Sequence, residues 1–197
     1  MAALNHPKEG KGIKVEPIKS VKDIRLIKKL LADKPRDLAI FTLGINSNLR
    51  ASDLLKITVG QVRNLQPGDH FTLREKKTGK ERNITINKTV YEAVQALLKS
   101  MGEAGDNAPL FQSRKGGQAL CVPYLNALVK GWCREINLKG NYGSHTLRKT
   151  FGYIHRTEFG TDIPTLMVMF NHATQKQTLA YLCIQPEEIK DAYMREI

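Results

Sequence analysis

The chain lacks most of what would mark a secreted, membrane-bound or metal-built protein. It holds three cysteines, Cys121, Cys133 and Cys183, an odd number with no CxxC pair. That argues against a disulfide framework and a zinc site, and fits a reducing compartment. No run approaches the ~18 apolar residues of a membrane span. The opening MAALNHPKEGKGIK has no apolar stretch of the kind a secretory signal carries. No clustered Asp, Glu and His residues suggest a metal-ligand set, so metal-dependent hydrolysis is not expected. There is no internal repeat and no low-complexity tract. The expected location is cytoplasmic, and nucleoid-associated if DNA is the partner.

What is present is a basic, single-domain chain. Its 197 residues are 41% hydrophobic and carry a net charge of +12, with a pI of about 9.7. The length is enough for one buried core, and the charge points to a polyanion such as nucleic acid. The charge is uneven. Residues 1–150 hold 27 basic against 13 acidic side chains, whereas residues 151–197 hold 4 against 6. The last segment is therefore expected to meet protein rather than phosphate.

The patterning predicts an α+β fold, mostly α-helical, with one small three-stranded antiparallel sheet. Residues 1–19 read as a flexible arm or linker. Ser20-x-x-Asp23 opens a helix whose apolar face is Val21, Ile24, Ile27, Leu30 and Leu31. Pro35 separates it from a second helix over about 36–45. A short helix at 51–56 precedes three expected strands: 59–62, the alternation Phe71/Leu73, and the alternation Ile84/Ile86. Lys76-Lys77-Thr78-Gly79-Lys80 forms the tip between the last two. Thr89-x-x-Glu92 then caps an amphipathic helix, and Leu125 to Ile136 mark another. Helices follow around 146–159, around 164–169 and after Thr174-x-x-Gln177, with 186–197 as a C-terminal helical tail.

Polar residues at the element boundaries carry the functional signal. Arg50 lies where a loop meets the short helix, and Lys77 lies at the hairpin tip. His145 and Arg148 share one helical face at i, i+3, His172 opens His-Ala-Thr, and Tyr181 follows nine residues later. Each alone reads as an ordinary surface or boundary residue. Together their order and contexts resemble the tyrosine recombinase (phage integrase) family. Asn48-Leu-Arg50-Ala-Ser-Asp-Leu-Leu55 is similar to the family's first arginine box, and Lys76-Lys77-Thr78-Gly79 to its hairpin lysine. Ser144-His145-Thr-Leu-Arg148-Lys-Thr-Phe151 is similar to its second box. Asn171-His172-Ala-Thr and Thr178-Leu-Ala-Tyr181 are similar to its third histidine and its nucleophile. The resemblance spans about residues 20–185. Asn171 stands where the family commonly has Gly, and Asn is the next best residue at positive φ.

The resemblance implies site-specific DNA recombination without metal or nucleotide cofactor, through a 3′-phosphotyrosyl intermediate. Arg50 and Arg148 would clamp the phosphate with their planar forks. Tyr181 would be the nucleophile, His145 the general base, Lys77 the general acid for the 5′-oxygen, and His172 a phosphate donor. Lys76 competes with Lys77 for the acid's role. Tyr153 and Tyr193 lie outside the motif. Arg74, Lys76, Lys80, Arg82, Arg114, Lys115 and Lys149 are expected contacts to the backbone of double-stranded DNA. The family acts as a tetramer on DNA, so the tail, with Ile184, Ile189 and Tyr193, is an expected subunit contact. The family's separate DNA-clamping domain has no room in the 19 residues before Ser20. Alternative functions are a non-catalytic DNA-binding module of this fold and a type IB topoisomerase-like relaxing activity.

Overall fold

A computed structural model describes residues 15–114, 116–182, 190 and 192–196. The element order is α1 (Val21–Leu30), α2 (Pro35–Asn46), α3 (Ala51–Leu54), α4 (Val59–Val62), β1 (His70–Arg74) and β2 (Glu81–Thr85). It continues with α5 (Lys88–Met101), α6 (Val122–Glu135), α7 (Ser144–Thr157), α8 (Ile163–Phe170) and α9 (Gln175–Leu182). The expected architecture, mostly helical with a small antiparallel sheet, is the one observed. No described helix is long and apolar enough to cross a membrane.

The helix starts follow local chemistry. The Ser20 hydroxyl accepts from the Lys22 and Asp23 amides, and Asp162 accepts from Thr165 N at 2.6 Å. Pro35 and Pro164 sit in first turns, where a missing N–H costs nothing. For α5 the cap is Asn87, not Thr89: Asn87 Oδ1 accepts from Val90 N at 2.9 Å.

Two expectations are corrected. The sheet has two strands among the described residues, paired from His70↔Thr85 to Arg74↔Glu81. Residues 59–62, expected as a third strand, form the helical turn α4. The Gln61 side chain reaches back to accept the Thr58 amide at 3.0 Å, which closes a turn at the point where two valines suggested extension. Next to this turn, Thr58 forms an isolated antiparallel bridge with Pro109. The second correction concerns the expected arm. Ile18 is fully buried, its N–H donates to Thr150 Oγ1 at 2.8 Å, and Glu16 N donates to Asn141 O at 2.8 Å. The described end of that segment is thus part of the domain.

The core sits around α2, whose residues Ala39 to Gly44 are all buried. This helix packs on α5 and α7. The approach to α7 is close enough that a Cβ on Gly44 would lie 2.6 Å from Leu147 Cδ1. A second, smaller cluster, Phe151, Leu166, Phe170 and Leu182, joins α7 to α8 and α9.

Candidate active site

The site forms where four elements meet: the loop into α3, the β1–β2 hairpin, the first turns of α7, and α8–α9. Asn48, at φ 55°, turns the chain out of α2, and Arg50 then stands at the N-cap of α3. The start of α7 is fixed by Asn126 of α6, whose Oδ1 accepts from Ser144 N at 3.0 Å. His145 emerges from that first turn with its side chain exposed, while Arg148, three residues on, points inward and is 1% exposed.

Arg148 ties two elements together. Its Nη1 donates to Asn48 O and its Nη2 to Phe170 O, both at 2.9 Å, while its Nε is buried with no acceptor among the described residues. Its guanidinium carbon lies 5.1 Å from the Phe170 ring centre and 5.6 Å from that of Tyr181. Phe170 is a platform: His172 stacks on it at 5.0 Å and 14°, and Tyr181 leans on it at 5.3 Å. The His172 and Tyr181 rings are 5.2 Å apart, and Thr178 Oγ1 lies 3.0 Å from His172 Nδ1. Asn171 adopts the left-handed conformation expected of it, φ 53° and ψ 43°, and so turns the chain from α8 toward His172.

A buried acid that the sequence reading overlooked lies behind the arginines. Glu75, whose side chain is 0% exposed, pairs with Arg50 Nη1 at 2.7 Å and Arg82 Nη1 at 3.2 Å. It also accepts from the Thr78 hydroxyl at 2.7 Å and from Asn171 Nδ2 at 3.4 Å. Burial alone would raise its pKa, but the Thr78 hydroxyl and the two guanidinium groups outweigh it and hold the carboxyl down at about 2. Asp53 assists, with Oδ2 3.9 Å from Arg50 Nη1 and Oδ1 accepting from Lys76 N at 3.0 Å. Arg82, an expected contact to the DNA backbone, has a side chain that is 11% exposed and donates to Glu75 and to the carbonyls of Asn48 and Met169. It braces the site from within.

The electrostatics follow from the concentration of cations. Partial burial lowers the pKa of His145, and the charges of Arg148, Lys149, Arg50 and Lys77 lower it further. Those four residues therefore lie within electrostatic range of one imidazole. His172 is pushed down to about 4, first by burial, then by Arg148, Arg50 and Arg82. Arg148 is itself lowered by burial and by Arg50. Both histidines are neutral at neutral pH.

The other expected contacts are spread out. Arg74, Lys76 and Lys80 are exposed on the hairpin, where Arg74 Nε donates to Gly79 O at 2.7 Å. Lys149 is half-buried, its Nζ 6.0 Å from the Tyr181 ring centre. Arg114 lines cavities away from the cleft, beside Pro35 and Leu110 on one side and Tyr124 on the other. Lys115 lies outside the described residues. Tyr153 lies beside Arg156 and Tyr193 is 86% exposed; no ring contact joins either of them to Phe170 or His172 among the described residues.

The model of the phage integrase family matches residues 20–188. The chain belongs to that family. Its class of enzyme is therefore the tyrosine recombinase/integrase, and its class of activity site-specific recombination. The chain is 34% identical over 180 residues to the probable integrase/recombinase YoeC of Bacillus subtilis (strain 168), a match covering 91% of this chain and 95% of that one. It is 30% identical over 162 residues to tyrosine recombinase XerC of Caldanaerobacter subterraneus subsp. tengcongensis, covering 81% of this chain but 44% of that protein. This phage integrase family member thus spans about half the length of the XerC and XerA relatives it matches. Among solved structures, the XerA recombinase superposes with a TM-score of 0.77 at 18% identity, over 93% of this chain and 68% of that one. The XerH site-specific recombinase, in a post-cleavage complex with its palindromic difH substrate, superposes with a TM-score of 0.72 at 16% identity, over 94% and 55%. Likeness at that identity speaks for the fold.

Proposed function

We propose that this chain cuts and rejoins double-stranded DNA through Tyr181. The Tyr181 oxygen attacks the scissile phosphorus, the bond to the 5′-oxygen breaks, and a 3′-phosphotyrosyl bond holds the strand. His145 takes the phenolic proton. A phenol with a pKa near ~10 needs such a base, and an imidazole kept neutral by partial burial and by its cationic neighbours can serve. Lys77 gives a proton to the departing 5′-oxygen. Arg50 and Arg148 stabilise the charge that builds on the nonbridging oxygens. With the Thr178 hydroxyl donating to Nδ1, His172 presents Nε2–H to the same phosphate. A 5′-hydroxyl attacking the phosphotyrosine then rejoins the strands with no external energy source.

The observation that supports this best is the packing of Tyr181 against His172 and over Arg148 in one chain. Nucleophile and phosphate clamp share one cleft without help from a second copy. Assembly into a tetramer on DNA, through residues 182–197, belongs to the same proposal. Tyr193 and Met194 are exposed apolar side chains in that segment, while Ile184 and Ile189 lie outside the described residues.

The test is a nicked duplex carrying the cognate site, from which the cleaved fragment diffuses away. A covalent protein–DNA adduct is expected from the native chain and none from Tyr181→Phe. An adduct persisting in Tyr181→Phe would sink the assignment. Salt-sensitive binding without any adduct would leave a DNA-binding module in its place.

A further inference from the structure

Glu75 has no part in the chemistry just described, and its surroundings are unusual. A carboxylate removed completely from water is strongly unfavourable unless it is ion-paired and hydrogen-bonded on both oxygens. Here both oxygens are used, and each donor belongs to a different part of the site. Arg50 comes from the loop before α3, Arg82 from β2, Thr78 from the hairpin tip next to Lys77, and Asn171 from the turn that delivers His172.

Two needs meet at this carboxylate. Arg50, Arg82 and Arg148 lie within electrostatic range of one another, so an uncompensated group would push the Arg50 guanidinium toward solvent. A guanidinium also has five N–H donors in a fixed plane, so holding one edge from behind aims the others. Glu75 forms an ion pair with a single nitrogen of Arg50 at 2.7 Å, which holds that end of the fork from behind and leaves other donors for a phosphate.

Resting on the recombinase reading, we propose that Glu75 is the positioning residue of the phosphate clamp. It aims the Arg50 fork and, through Thr78 and Asn171, holds the Lys77 hairpin and the His172 turn in register with it. The residue acts through Arg50 and does not touch the substrate.

The experiment uses the intact chain and compares Glu75→Gln with the native protein in single-turnover adduct formation and in DNA affinity. The expected adduct rate at saturating DNA is about 10–100-fold lower, the range a misplaced group costs. The dissociation constant should stay level or fall, because the variant is one charge more positive. Combined with Arg50→Ala, the loss should be no greater than in Arg50→Ala alone. A native rate in Glu75→Gln, or losses that multiply in the double variant, would overturn the proposal. Should Glu75→Gln fold poorly, Glu75→Asp keeps the charge and shortens the reach. It should also lose rate at unchanged affinity, and a native rate there would overturn the proposal equally. A readout independent of cleavage is the NMR signature of the Arg50 guanidinium, expected to show hindered rotation in the native chain and free averaging in Glu75→Gln. If no chain forms an adduct, the recombinase reading fails while this spectrum still decides the role of Glu75.

Discussion

The Phe170 platform can be tested with one methyl group. Gly152 lies on α7, facing α8. A Cβ placed on it would lie 2.6 Å from Phe170 Cζ, 2.9 Å from Cε2 and 3.4 Å from Leu182 Cδ2. To restore ordinary contact, the ring must retreat by about 0.8 Å. In Gly152→Ala the helix gains about 1 kcal/mol from the better helix former, and overpacking costs about 1–3 kcal/mol. The net loss is then about 0–2 kcal/mol, or roughly 0–8 °C in Tm for a chain of this size. The effect on chemistry should be far larger. The displaced ring supports His172 at 5.0 Å and Tyr181 at 5.3 Å, and a shift near 1 Å in a reacting constellation costs about 100-fold. Single-turnover adduct formation on a nicked duplex should therefore slow by that order, while DNA affinity, set by distant cations, holds. An adduct rate within about twofold of native, in a protein melting at the native temperature, would refute the claim that the platform positions Tyr181 and His172 for the proposed chemistry.

Three further outcomes are expected. Replacing the 5′-oxygen leaving group by sulfur, which needs no proton to depart, should restore cleavage to Lys77→Ala, whereas Lys76→Ala should need no rescue; the reverse pattern would exchange their roles. The folded-state pKa of His172 is depressed from 6.5 to about 4, so between these values the unfolded chain binds a proton that the folded chain refuses. Stability is then full above about 6.5 and falls as pH drops toward 4, and His172→Gln should flatten that slope in denaturant titrations; an unchanged slope would contradict it. Thr150→Val removes the buried acceptor of Ile18 N–H and should lower stability by about 1–3 kcal/mol, read from the unfolding midpoint.

The residues legible in the sequence were those whose function leaves a local mark. Ser20 and Asn171 could be read because a cap and a left-handed turn are properties of a few neighbouring positions. Arg50, His145, Arg148, His172 and Tyr181 stood out because their contexts are motifs, and the structure brings Arg148, His172 and Tyr181 together around Phe170. Residues 59–62 misled because two valines suggest a strand, while the deciding contact is a glutamine side chain folding back on its own turn. Glu75 stayed hidden for a different reason. An acid beside Lys76 and Lys77 looks solvated, and its burial depends on arginines 25 positions before it and 7 after it. Strand alternation did hold a clue. Phe71 and Leu73 face inward, and the period of two places position 75 with them, as it places Arg82 with Ile84.

The two unequal cores have a consequence for timing. Tyr181 rides on α9, and α9 is anchored by Leu182 in the small cluster with Phe151, Leu166 and Phe170 rather than by the main core around α2. Among the described residues that cluster is small, so the opening free energy of α9 should lie toward the low end of the molecule's range. The arginines, by contrast, are set in the body of the domain and fastened to backbone carbonyls and a buried acid. On the proposed reading, the phosphate clamp is fixed in the body of the domain while the nucleophile sits on the helix anchored in the smaller core. In hydrogen exchange, the amides of α9 should be the first helical amides to lose protection, well before those of α2.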